Sequence, residues 1–127
     1  MQHSELTGTI IGKAIELHEA LGPGQTEARY TRELATALKD ADLYVRLRVK
    51  AWQQIGERWK LIDTFGLVVE GLVGVLITTR QRPPDDRQLG HLLRMVQARG
   101  LPVGLVLNFG PHKIEVGRAD ERAQGSA

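Results

Sequence analysis

Residues Phe65 to Thr78 read Phe65-Gly66-Leu67-Val68-Val69-Glu70-Gly71-Leu72-Val73-Gly74-Val75-Leu76-Ile77-Thr78. Two apolar runs, Phe65–Val69 and Leu72–Thr78, meet at Glu70-Gly71, a pair suited to a tight hairpin turn. The second run offers no polar residue to a solvated face before Thr78, so it reads as a strand buried on both sides. Such a strand needs cover above and below. That requirement points to an α/β fold, a central mixed β-sheet flanked by α-helices.

The flanking sequence supplies those layers. Upstream, Val45, Leu47, Val49 and Ala51 alternate with Tyr44, Arg46, Arg48, Lys50 and Trp52, predicting a strand with one buried and one wet face. Gln54–Glu57 reads as a turn, and Trp59, Leu61 and Asp63 alternate with Lys60 and Ile62 in a separate strand. Nearer the N-terminus, Ser4 is placed to cap a helix whose apolar stripe is Leu6, Ile10, Ile11, Ala14, Leu17, His18 and Leu21. Gly22-Pro23 stops it. Thr26 then caps a second helix to about Asp40, with Tyr30, Leu34, Ala37 and Leu38 inward. Downstream, Pro83-Pro84-Asp85-Asp86 opens a third helix with proline in its first turn, its core stripe being Leu89, Leu92, Leu93 and Val96. Val103–Phe109 is a further apolar strand and Ile114–Val116 a short last one. The expected organisation is a single domain over residues 1–118 and a frayed tail over 119–127.

Bulk properties remove several function classes. The 127-residue chain has no cysteine, so thiolate metal sites, disulfides and a cysteine nucleophile are excluded. Its N-terminus shows no basic stretch leading into an apolar one, and the run Phe65–Ile77 is too short to span a bilayer. A cytoplasmic protein without a membrane partner is the expectation. Net charge is only +2, a weak electrostatic argument for nucleic acid. Twelve of the seventeen basic residues are arginine, the side chain best shaped for bidentate contact with phosphate.

Gly24, Glu27 and Tyr30 fall at the spacing G-x-x-E-x-x-Y, followed by Gln88-Leu89 in the third helix and Asn108-Phe109-Gly110 at a strand end. Together these resemble the GxxExxY family, small bacterial proteins assigned to the PD-(D/E)XK nuclease-fold superfamily. The resemblance covers about Ser4 to Arg118 and implies a restriction-endonuclease-like core. It also implies an Asp at the start of one central strand and an acid-x-Lys on the next, the acids holding a divalent cation and the Lys orienting the attacking water. Aligned on Glu70-Gly71, this chain has Gly66, Leu76 and Thr78 at those positions. A register shifted to suit Gln88 gives Thr64, Gly74 and Leu76, which is no better. Nowhere does an acid stand two residues before a lysine.

The resemblance thus implies a nuclease fold from which catalysis, metal and cofactor have been lost. A substitute metal set of Glu27, Asp63 and His91 is the one rescue the sequence offers. Glu27 reads equally as an acid favoured in a helix first turn, Tyr30 as a core anchor with a bonded hydroxyl, and His18 as a satisfied core imidazole. Three functions remain: a non-enzymatic, self-associating or scaffolding homo-oligomer using Trp52, Trp59 and the last strand; a nucleic-acid binder; and a residual metal-dependent nuclease. For the second, the row Arg46, Arg48 and Lys50 with Tyr44 and Trp52 would hold phosphates and stack bases. Arg80, Arg82, Arg87 and Arg94 would form another basic rim.

Overall fold

In the computed structural model, which describes residues 3–120, the chain runs α1 (Ser4–Leu21), α2 (Glu27–Asp40), β1 (Val45–Ile55), β2 (Arg58–Val69), β3 (Val73–Thr78), α3 (Asp86–Arg99), β4 (Val103–Phe109) and β5 (Ile114–Asp120). The five strands form one sheet in chain order. All neighbours are antiparallel except β3 and β4, which are parallel and joined through α3. That single crossover makes the sheet mixed, as the sequence implied.

Each face of the sheet has its own core. Leu67, Val69, Val73, Val75, Val103, Leu105 and Leu107 pack with Ile10, Ala14, Tyr30, Leu34 and Leu38 of α1 and α2. On the other face Phe65, Val68, Leu76 and Val106 pack with Leu92, Met95 and Val96 of α3. The alternation along β3 and β4 serves both cores at once, which is why both strands are buried almost throughout. On the α3 side, Gly74 and Gly104 are cross-strand partners. A Cβ at Gly74 would lie 2.5 Å from the Phe65 ring, and one at Gly104 2.7 Å from Val96 and 2.8 Å from Leu92. The two missing side chains let Phe65 and α3 sit directly on the sheet.

Several expected boundaries move. Thr26 caps α2 as expected, its hydroxyl accepting from the Arg29 N–H. Ser4, however, is the first helical residue of α1; His3, with φ 56, precedes it and gives no side-chain cap. Pro83 and Pro84 lie ahead of α3, because the Asp85 carboxylate accepts from the Gln88 N–H and sets the cap after them. The expected strand from Trp59 and the run from Phe65 are one continuous β2, and β1 extends to Ile55 so that the turn shrinks to Gly56-Glu57. Pairing with β4 also carries β5 on to Asp120, with Ala119 and Asp120 buried. The domain therefore passes residue 118, and the rest of the expected tail lies outside the described residues. Glu70 and Gly71 form the expected hairpin turn, both with positive φ, and Glu70 reaches back to accept from the Tyr44 N–H at 2.6 Å.

The largest departure is in β1. Val45 joins the α1/α2 core, whereas Val49 and Ala51 join the α3 core. Leu47 is 46% exposed rather than buried. The alternation changes phase at Arg48, whose φ is +53. On β2, Phe65 and Leu67 also face opposite cores, with Gly66 between them. The pairs Leu47↔Leu67 and Val49↔Phe65 bracket this point, so both strands turn over together. Pairing of β2 with β3 is Leu67↔Val75, Val68↔Gly74 and Val69↔Val73. Before Gly66, β2 follows β1 away from β3 as a two-stranded ribbon.

Filling the space at Gly74 tests the close packing of Phe65. Gly74→Ala should destabilise the protein by about 1–3 kcal/mol through overpacking, read as a lower urea midpoint with an unchanged denaturant slope.

Candidate nucleic-acid interface

Where β2 leaves β3, a cleft of about 1190 Å³ opens between α2 and α3. Its floor includes Gly66 on β2 and Leu76, Ile77 and Thr78 on β3; Glu27, Thr31 and Arg32 of α2 form one wall and Gln88, His91 and Arg94 of α3 the other. Gly66, Leu76 and Thr78, identified through the family alignment, thus meet at one place, with Glu27 beside them. Their chemistry does not suit a hard cation. A glycine, a leucine and a threonine supply no carboxylate, and divalent ions of this kind take charged oxygen ligands. The space above Gly66 is also taken up: a Cβ there would stand 3.3 Å from Thr31 Cγ2.

Asp63 and His91 do come together. His91 Nε2 lies 2.8 Å from Asp63 Oδ2, and Arg94 Nη2 lies 3.4 Å from His91 Nδ1. A donor at Nδ1 and a carboxylate at Nε2 suit an imidazole carrying its proton on Nε2. The expected third ligand is missing from this pair: among the described residues no three His, Asp or Glu side chains cluster as metal ligands, Glu27 included. Asp63 and His91 are instead a partly exposed pair that holds the middle of β2 to α3.

The cleft is rich in guanidinium groups. Arg32, Arg48, Arg80, Arg82, Arg87 and Arg94 line it, against the carboxylates of Glu27, Asp63, Asp85 and Asp86. The rim of Arg80, Arg82, Arg87 and Arg94 expected from the sequence is therefore assembled. The row Arg46, Arg48 and Lys50 is not. Because the alternation changes phase at Arg48, Arg46 pairs beside Val68 on the α3 face, while Lys50 lies between Val49 and Ala51, which point into that same core. Arg46 and Lys50 thus end on opposite faces, and of the three only Arg48 lines the cleft.

Sequence reasoning noted Asn108 but not its task. Its side-chain oxygen accepts from the Thr78 hydroxyl at 2.8 Å and the Arg80 N–H at 2.7 Å. Its amide nitrogen donates to the carbonyls of Arg80 and Arg82 and to Glu115 Oε1. Buried on β4, this one amide fixes the backbone that carries two cleft arginines. The rest of the motif is structural too. Phe109 stacks on Tyr30 with ring centroids 4.0 Å apart, the Tyr30 hydroxyl donates to Gly22 O at 2.6 Å, and His18 Nε2 donates to Gly110 O at 2.8 Å. Gln88, buried in the α3 wall, has a side-chain oxygen without a protein partner.

The pKa of Asp85 reports the local field. The Gln88 N–H lowers it most, burial works against that, and the charges of Arg82, Arg80 and Arg87 lower it further. A carboxyl depressed in the folded state contributes stability above its unfolded pKa and loses it as pH falls through the folded value. The deficit of Asp85→Ala at pH 7 should accordingly shrink below about pH 4, measured as urea stability against the parent protein at both pH values.

Comparison with known proteins bears on the family and the fold. A family model described as the PD-(D/E)XK nuclease superfamily matches residues 4–119. The fold is similar to the crystal structure of SSO0001, with a TM-score of 0.51 and 12% identity, covering 91% of this chain and 78% of that chain. No curated protein matches the sequence.

Proposed function

The chain belongs to the PD-(D/E)XK nuclease superfamily, and from that premise we propose that it is a catalytically degenerate, GxxExxY-like member that holds nucleic acid without cutting it. One observation carries the reading: the cleft that contains Gly66, Leu76 and Thr78 is lined by six arginines, Arg32, Arg48, Arg80, Arg82, Arg87 and Arg94. The positions that would hold a metal have lost their acids, while groups that neutralise a phosphate backbone surround them. Guanidinium groups bind phosphate in bidentate fashion and give affinity without reading sequence. Asp85 and Asp86 moderate the field, so a ligand has to present several phosphates to gain from the arginines.

A second reading is the non-enzymatic homo-oligomer or scaffold, for which the exposed Leu47, Ile55 and Leu61 on the β1–β2 ribbon speak. Sedimentation velocity across a concentration series separates the two: nucleic-acid binding by a monomer supports the first, and a stable dimer that ignores nucleic acid supports the second.

Direct binding and cleavage assays test the main reading. Fluorescence anisotropy with labelled DNA and RNA should show binding that weakens steeply with salt. Arg48→Glu and Arg82→Glu should each weaken it about tenfold or more, while Arg46→Glu, outside the cleft, should change it less than threefold. The bound strand should stay intact in magnesium or manganese. Cleavage that disappears in Glu27→Ala would overturn the proposal.

A further inference from the structure

A second groove, about 350 Å³, lies between the last turns of α3 and the far end of the β1–β2 ribbon. Trp52 and Trp59 flank it, 41% and 63% exposed, and they are the only tryptophans in the chain. Trp52 pairs with Leu61 and Trp59 with Gln54, so the two indoles stand diagonally on one face of the ribbon. A slip of register between Ala51 and Trp52 sets this face. The polar lining is Gln53, Gln54, Gln97 and Arg94, and it contains no carboxylate. Arg94 also lines the arginine cleft, so the two concavities share a wall residue.

We infer that this groove takes unpaired nucleobases, and that the physiological ligand is single-stranded nucleic acid running from the arginine cleft past Arg94 onto Trp52 and Trp59. The inference rests on the binding role proposed for the cleft and specifies its ligand. Exposed indole faces stack on any base, amide groups can meet base edges, and the Arg94 guanidinium shared by the two concavities suits the intervening phosphate. A duplex keeps its bases stacked inside and has no π-face to offer.

A second copy of the chain fits this groove less well. A two-fold contact would bring like surfaces together. The one charged residue lining the groove is Arg94, so a two-fold contact would set like charges close together with no carboxylate from the lining to offset them. The net charge presented to a copy is repulsive, while the charge presented to a polyanion is attractive.

Because both tryptophans border the groove, intrinsic fluorescence reports on it directly. The protein would be titrated with an oligothymidylate, a duplex of equal length, and an abasic strand with the same number of phosphates, following indole emission and the anisotropy of labelled strands together. Oligothymidylate should quench the emission and bind about tenfold tighter than the abasic strand or the duplex. Trp59→Ala should remove most of that advantage and leave abasic-strand binding unchanged. Gln97→Glu, a substitution at an exposed helix position that places a carboxylate in the groove, should do the same without touching an indole. Equal binding of all three ligands without quenching would overturn this inference and leave the cleft reading standing. No binding of any ligand would overturn both. Emission that changes with protein concentration alone, alongside dimer formation, would assign the groove to a second copy and sink the inference.

Discussion

The change of phase at Arg48 and Gly66 is the constraint on which the architecture turns. A strand in a three-layer sandwich ordinarily gives alternate residues to alternate cores along its whole length. Here β1 and β2 each break that rule at facing positions, sending Val45, Leu67 and Val69 to one core and Val49, Ala51 and Phe65 to the other. An unbroken period would keep Phe65 and Leu67 on one side and Val45 and Val49 on one side. With the break, the ribbon leaves β3, reaches toward α3, and opens the cleft between them.

Two sets of close contacts keep that opening in shape. On one side Tyr30, Phe109 and His18 tie α2, the end of β4 and α1 into a stack of rings whose polar atoms bond to the carbonyls of Gly22 and Gly110. On the other, Asn108 holds the segment after β3 through three hydrogen bonds to Arg80 and Arg82, and bonds to Thr78 and Glu115 besides. Both sets use residues of the sequence signature. A signature of this kind can persist for the sake of the fold, since buried amide and hydroxyl groups stripped of their partners each cost about 1–3 kcal/mol. Its presence is therefore a poor guide to whether the chemistry once associated with it survives.

Much of this was legible in the chain. The buried centre could be read from the unbroken apolar run of β3, the helical stripes from their spacing, and the gathering of Gly66, Leu76, Thr78 and Glu27 from the family alignment. What could not be read followed from non-local pairing. The sequence Val45-Arg46-Leu47-Arg48-Val49 alternates without a flaw, and only an arginine in a left-handed conformation shows that the strand turns over. No local propensity announces this, because arginine is not a residue that favours positive φ. The basic row Arg46, Arg48 and Lys50 failed for that reason alone. The rim on α3 and the segment before it came through intact, since a capped helix places its residues by its own geometry. Asp120 joined the sheet because β4 offered a partner along its full length, which the polar character of that stretch did not foretell.

The paired glycines Gly74 and Gly104 carry one more consequence. By letting Phe65, Leu92 and Val96 sit against bare backbone, they fix the one helix that borders both grooves, its earlier turns on the cleft and its last turns on the tryptophan groove. A helix seated that closely has no slack to take up when a ligand arrives. On the binding role proposed above, the entropy lost would fall on the ligand, which must straighten and unstack, more than on the protein. Selectivity in such a pre-organised receptor is governed by the stiffness of what binds: a strand with little internal stacking pays least to conform.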